Sequence, residues 1–289
     1  METSELLKKV RQIEIKTRGL SRNIFAGQYH TAFKGRGMAF SEVREYQYGD
    51  DIRDIDWNVT ARYVRPYIKV FEEERELTVM LLIDVSGSKD FGSVAQMKRE
   101  ITTEIAATLA YSAIQNNDKI GVIFFSDKIE KFIPPQKGKR HILYIIRELI
   151  DFQPDDKKTD INQVLKYLTS AIKKRCTAFL ISDFIDKSNY QDALTIANRK
   201  HDVVAIQVYD CRETNLPNVG LMKIKDAETG AEQWIDSSSR RLRETYKKWW
   251  DSRQEEMYHS FSKCGVDAVS IQTEDDYVKS LLTLFAKRN

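Results

Sequence analysis

Five oxygen-bearing side chains in three separated stretches could together hold a hard cation. Asp84, Ser86 and Ser88 stand in Asp84-Val85-Ser86-Gly87-Ser88, Thr159 precedes Asp160, and Asp183 follows Ser182. Carboxylate and hydroxyl oxygens suit Mg²⁺, or another divalent cation such as Mn²⁺ or Ca²⁺, with water completing the shell. Two carboxylates nearly neutralise such an ion and leave it able to accept an acidic side chain, an Asp or Glu, from a partner protein. No histidine stands near these stretches, and Cys176 is expected at the far end of its strand from Asp183. Both points disfavour zinc. The alternative chemistry is Mg²⁺-dependent phosphate hydrolysis using Asp84 or the acids near Asp50. Against it, there is no Gly-rich phosphate loop, and no lysine or second strand-following acid pair stands at phosphatase-like spacing. Ser86 and Ser88 also lack an evident base among 4 histidines. The expectation is a non-enzymatic binding site.

These side chains need a scaffold that brings separate loops to one place. Thr78-Val79-Met80-Leu81-Leu82-Ile83 is an uninterrupted apolar run that ends at Asp84. It reads as a strand buried on both faces. Ile120–Phe125, Thr177–Ser182 and Val203–Tyr209 repeat the pattern, and Val266–Ile271 closes it. Between them, helical periodicity marks Ser93–Asn116, Gly138–Phe152, the stretch from Asp160 as N-cap, and a helix after Ser188, which with Gln191 looks like a capping box. Ile129–Ile133 reads as an edge strand before Pro134-Pro135. Alternating strands and helices predict a mostly parallel sheet with helices on both faces. In such sheets ligands bind outside the carboxyl ends of the strands, where Asp84, Thr159 and Asp183 would all lie. Asp127 and Asp210 also end strands, but no pair of hydroxyls follows, so they read as turn formers.

The flanks differ in texture. Residues 3–18 are amphipathic, with Leu6, Leu7, Val10, Ile13 and Ile15 on the apolar side. Docking on the domain is favoured over peripheral membrane association, because Glu5 and Glu14 interrupt the basic face. Residues 27–75 are dense in arginine, acids and aromatics. They read as an irregular segment wired by Arg–carboxylate pairs, with Tyr67–Phe71 a short strand. Asp50, Asp51, Asp54 and Asp56 as a second metal site is the weaker reading, since Arg36, Arg44, Arg53, Arg62 and Arg65 compete for them. Leu221–Asp226 and Gln233–Asp236 resemble a hairpin. Arg240–Lys263 is a basic, aromatic helix, and Asp275–Lys287 ends the chain as a helix with Thr273 and Asp276 as its caps. Nucleic-acid binding through Arg240, Arg241, Arg243, Lys247, Lys248, Trp249 and Trp250 loses to simple packing of the aromatics, because Glu244, Asp251, Glu255 and Glu256 dilute the charge.

The 289 residues carry a net charge of +3, with 42% hydrophobic and 31% charged residues, a globular balance that does not by itself point to nucleic acid. No stretch has the length of a membrane span, and the first ten residues lack a signal-peptide apolar core. Three cysteines, Cys176, Cys211 and Cys264, are widely spaced and read as reduced thiols, so a cytoplasmic location is expected. The expected division is an N-terminal extension, residues 1–75, and an α/β domain, residues 76–289.

Asp84-x-Ser86-x-Ser88, then Thr159, then Asp183, in this order on an α/β sheet, resembles the metal-ion-dependent adhesion site of von Willebrand factor A-type domains. The stretches Gly35-Arg36-Gly37-Met38-Ala39-Phe40, Val43-Arg44-Glu45-Tyr46, Gly49–Trp57 and Ala61-Arg62 are similar to the signature of domain-of-unknown-function family 58. Those are bacterial proteins in which the signature precedes a von Willebrand A-like domain. The resemblance implies a von Willebrand A-like fold, a divalent cation on the five oxygens, and a MoxR-type AAA+ ATPase as partner in chaperone-like assembly or maturation of other proteins. One departure is Lys89, where many such sites carry Met. An ammonium there would weaken cation binding.

Overall fold

The structure is a computed structural model and describes residues 37–63, 65–74, 77–87, 97–154, 158–186, 188–225 and 230–288. The helix expected over residues 3–18, Ser88 and Lys89 lie outside the described residues. Two compact units divide at Leu77/Thr78.

In the smaller unit, strand β1 (Gly37–Glu45) pairs antiparallel with β2 (Tyr67–Glu74), with a bulge between Phe40 and Glu42. A 3-10 turn at Ile52–Asp54 and helix α1 (Trp57–Tyr63) fill the connection. This corrects the irregular reading of residues 27–75 for Gly37–Glu45, where the ladder to β2 imposes a regular backbone. The expected wiring is present. Arg44 forks onto Asp50 at 2.9 and 2.8 Å, and Asp50 also accepts the Gln47 amide at 2.8 Å. Asp51 caps the 3-10 turn, and Asp56 accepts the Asn58 and Val59 amides at the start of α1. Three of the four acids weighed as a second metal site thus cap or pair locally.

The larger unit is built on β3 (Thr78–Asp84), α2 (Lys98–Gln115), β4 (Lys119–Phe125), β5 (Ile129–Gln136), α3 (Lys139–Asp151), α4 (Ile161–Ala171), β6 (Thr177–Ser182), α5 (Gln191–Lys200), β7 (Asp202–Tyr209) and the single turn α6 (Cys211–Thr214). The ribbon β8 (Leu221–Lys225) and β9 (Glu232–Asp236) follows, then α7 (Arg240–Cys264), β10 (Asp267–Gln272) and α8 (Tyr277–Arg288). The six-stranded sheet runs β10-β7-β6-β3-β4-β5, parallel except for the edge strand β5. Counted from its first strand, this is the doubly wound order 3-2-1-4-5-6. The expected class, an α/β fold with a mostly parallel sheet and helices on both faces, is the observed one.

Alternation along the central strands divides the core. Met80, Leu82, Ile123, Phe125, Ala178 and Leu180 face a cluster with α4, α5 and α7. The intervening residues face the other layer, where Phe124 stacks on Phe152 beyond α3 and Phe179 meets Phe285 of α8. Helix α2 is buried around most of its circumference. Its Thr103, Thr108 and Ser112 hydroxyls donate to carbonyls four residues back, which satisfies them without water. Edge strand β5 carries Pro134 and Pro135, placed where a missing amide is tolerated. A Cβ on Gly121 of β4 would come within 2.8 Å of Ile133 O and Pro135 N, so only glycine lets β5 approach.

Several boundaries differ from expectation. Met97 precedes α2 and is 52% exposed, whereas Lys98 takes the inward position. Helix α5 begins after Tyr190, where Asn189 Oδ1 accepts the Gln191 amide at 3.3 Å, and the Ser188 hydroxyl is committed to Asp186 at 2.6 Å instead of capping. Asp160 does cap α4, accepting the Gln163 amide at 3.0 Å. Among the described residues no helix is long and apolar enough to cross a membrane.

Candidate functional site at the carboxyl edge of the sheet

The strand order reverses between β3 and β6, the first and fourth strands of the sheet. Neighbouring connections leave in opposite directions there and open a crevice at the carboxyl ends. Asp84 ends β3, and Ser182-Asp183 ends β6. Both elements form for the same reason: a continuous β-rich apolar run is stable only between two helical layers, and it stops at the first carboxylate.

Asp84 is 1% exposed. Its Oδ1 accepts the Ser86 amide at 2.9 Å, and its Oδ2 accepts the Ser182 hydroxyl at 2.6 Å. The second bond ties the two strand ends across the crevice. Ser86 is 2% exposed and lies in the turn directly beyond β3. Thr159 is half-buried. Its loop is anchored on both sides of the crevice: the Asp160 amide donates to Ser126 O at 2.9 Å, beyond β4, and the Ile161 amide donates to Asp186 Oδ2 at 2.8 Å, beyond β6. The loops that carry Asp84, Ser86, Thr159 and Asp183 therefore meet at one sheet edge, while Ser88 lies outside the described residues.

Asp183 has a different environment. Its Oδ1 accepts the Ile185 amide at 3.0 Å, and its Oδ2 is 2.9 Å from Lys98 Nζ. Lys98 also holds Glu213 Oε1 of α6 at 2.6 Å, with its own side chain 3% exposed. Burial by itself would lower the Lys98 pKa, but the Asp183 and Glu213 carboxylates outweigh it and raise the value overall. Glu213 is raised by burial, drawn down by Lys98 and raised again by Asp183. Its other oxygen accepts the Asp210 amide at 2.8 Å, half of a capping box in which Asp210 caps α6. Asp210 is thus the turn former expected, and it further accepts the Thr273 hydroxyl at 3.0 Å.

The turn after Asp183 is strained. Phe184 has φ +58°, in the left-handed region, and is 3% exposed. Edge-on packing against Phe261 and a bond from Arg253 to its carbonyl hold it there. Such conformations cost about 1–3 kcal/mol and persist where surrounding structure over-determines them.

The donor chemistry tests whether a divalent cation fits. Asp84, Ser86 and Thr159 are oxygen donors of the right class. Asp183 is not equivalent, because a protonated lysine already compensates it. An ion sharing that carboxylate would stand roughly 5 Å from Nζ, and the repulsion is about 7 kcal/mol at an effective dielectric of about 20. A cavity of about 10 Å³, close to the room one water needs, lies between Asp84, Lys98, Thr102, Ser182 and Asp183, and neither Ser86 nor Thr159 lines it. Among the described residues, Asp183 therefore does not fit as a ligand of a five-oxygen cation site, because Lys98 already holds it. Lys98, Ser182 and Glu213 are participants that sequence reasoning missed. A signal for Lys98 existed, since it stands on the same helical stripe as Ile101, Ile105 and Leu109.

The aromatic residues of α7 split. Trp250 is buried against Tyr209, while Trp249 is 46% exposed. Arg240–Glu244 and Lys247–Asp251 pair along the helix, as the diluted charge implied.

Comparison with known proteins adds relatives of the whole chain. Uncharacterized proteins of Mycobacterium tuberculosis and Mycobacterium bovis are 27% identical over 292 aligned residues, covering 100% of this chain and 91% of theirs. Among solved structures, BatB from Bacteroides thetaiotaomicron is similar over 73% of this chain and 98% of its own, with 16% identity and a TM-score of 0.47. The SpRpn10 VWA domain is similar over 72% and 94%, with 11% identity and a TM-score of 0.41. The model of the family described as protein of unknown function DUF58 matches residues 42–256, which take in the Arg44–Asp50 fork, both strand-end aspartates, Lys98 and Glu213, and the chain therefore belongs to that family.

Proposed function

We propose that the chain is a protein-interaction module that engages its partner at the carboxyl edge of the six-stranded sheet. The observation that carries this reading is the convergence of Asp84 and Asp183 at the strand-order reversal, joined through Ser182. Both acids sit in bonded, buried positions suited to holding loops in place. A hydrolase would instead need a carboxylate facing a substrate-sized pocket. The partner that the family resemblance implies is a MoxR-type AAA+ ATPase, with a chaperone-like or assembly role. The same resemblance implies Mg²⁺ on Asp84, Ser86, Ser88, Thr159 and Asp183 with a partner Asp or Glu completing its shell; the Lys98–Asp183 pair stands against that route, and the reading does not depend on the ion.

Specificity is assigned to the surface around the crevice. The β8–β9 ribbon connects the carboxyl end of β7, through α6, to the start of α7, and it exposes Leu221 and Trp234 at 68% and 61%. Large exposed aromatics of this kind are common anchors of protein interfaces.

The test is capture of the MoxR-type ATPase of the same organism by wild type and by Asp84→Asn, each in Mg²⁺ and in EDTA. The expected result is at least a tenfold loss of capture for Asp84→Asn with an unchanged circular-dichroism spectrum. Equal capture by both proteins would overturn the reading.

A further inference from the structure

A buried lysine that neutralises one of two converging acids has no role in a cation site of five oxygens. Lys98 projects from the first turn of α2 into the crevice and lines the same small cavity as Asp84. Its ammonium is fixed by two carboxylates, one from the loop after β6 and one from α6 after β7. Those partners are themselves immobilised: Asp183 by the Ile185 amide, and Glu213 by the Asp210 amide. The charge of the edge is thereby set by the chain. Among the described residues, Asp183 and Glu213 contribute two negative charges and Lys98 one positive, and Asp84 accepts the Ser86 amide and the Ser182 hydroxyl.

We infer that Lys98 is the resident cation of this site, tying the loops after β6 and β7 to α2 in place of a divalent ion. The edge then keeps its charge pattern and loop geometry whatever the surrounding Mg²⁺ concentration. Two of the three ammonium donors are spent on Asp183 and Glu213, and the side chain is 3% exposed, so a partner's carboxylate does not reach it. Partner recognition, which rests on the function proposed above, would then use the exposed rim around the crevice and would survive chelation.

Binding of Mn²⁺, followed by electron paramagnetic resonance, tests this without any partner. Wild type is expected to bind no Mn²⁺ that Asp84→Asn abolishes, and its melting temperature is expected to be the same in EDTA and in Mg²⁺. Lys98→Met together with Glu213→Gln removes the ammonium and one acid and leaves the Asp84 and Asp183 carboxylates lining the same cavity without it. That variant is expected to gain one Mn²⁺ site and a melting temperature that rises with Mg²⁺. Wild type holding one Mn²⁺ that is lost in Asp84→Asn would overturn the inference, even if the double variant failed to fold. A folded double variant that binds no Mn²⁺ would overturn it as well, since Lys98 would then not be what occupies the cation's place. In the capture experiment, retention in EDTA with loss in Asp84→Asn supports both readings. Equal capture by Asp84→Asn removes the functional reading alone, because the Mn²⁺ measurement still decides the role of Lys98.

Discussion

Asp84 and Asp183 end adjacent parallel strands, yet different chemistry holds them. Asp84 accepts a backbone amide and a serine hydroxyl. Asp183 accepts an amide and an ammonium. Truncating either therefore has different consequences. Removing a neutral hydrogen-bonding partner in a buried site costs about 1–3 kcal/mol. Removing one member of a buried ion pair costs about 3–5 kcal/mol, because the remaining charge is stranded. Lys98→Met is accordingly expected to lower unfolding stability by about 3–5 kcal/mol at neutral pH, and Ser182→Ala by about 1–3 kcal/mol, measured by urea denaturation. Restoring charge balance with Glu213→Gln in the Lys98→Met background should recover part of the first loss. Similar losses for Lys98→Met and for an exposed lysine such as Lys247→Met would mean that the buried pair is not formed. The exposed Trp234 belongs to this scale too. Trp234→Ala is expected to weaken partner capture by about tenfold or more without changing the melting temperature.

Elements place these side chains by close approach and by capping. β5 can lie against β4 only because Gly121 has no side chain facing Ile133 O, Pro135 N and the Met80 sulfur. Gly121→Ala is expected to cost about 1–3 kcal/mol, read as a lower midpoint in urea, since backbone atoms of β5 would have to move. Helix α4 is started by Asp160, whose own amide is anchored beyond β4. The same cap therefore orients the preceding Thr159 loop. The apolar runs made the strands of the sheet readable, and the 3.6-residue patterns made the helices readable. The ribbon strand Gly37–Glu45 was not readable, because a charged, weakly patterned segment becomes a strand only when its partner Tyr67–Glu74 supplies the ladder. The expected capping box at Ser188 failed for a related reason: the Asp186 carboxylate competes successfully for its hydroxyl.

At the scale of the molecule, the sheet is closed at its amino end by a buried histidine and an arginine clamp. His201 is fully buried, and its Nδ1 accepts the Cys176 amide at 3.3 Å, linking the starts of β6 and β7. Arg288 of α8 forks onto Asp202 at 2.6 and 2.7 Å and reaches Asp267 at 2.8 Å. Burial, then Lys200 and Arg175, push His201 down to about 4 from 6.5, so the folded protein resists a proton that the unfolded chain accepts. The sign follows from proton counts. Between these values the unfolded state binds more protons, so stability rises with pH. The contribution is complete above about pH 6.5 and is lost as pH falls towards 4, a total of about 3 kcal/mol. Urea denaturation at pH 7 and pH 5 should show lower stability at pH 5, and His201→Gln should flatten that slope. An unchanged slope in the variant would assign the pH dependence to other groups. The sequence by itself determined the α/β class, the order along the chain of the strands of the six-stranded sheet and of the long helices between them, and which oxygen-bearing residues stand at strand ends, because burial between two layers demands apolar runs that stop at polar residues. Only the tertiary structure decided which strand ends are neighbours and what their carboxylates hold. Lys98 and Glu213 are 115 residues apart along the chain. Nothing local ties them together, and only the sheet order brings an ammonium from α2 between acids that follow β6 and β7.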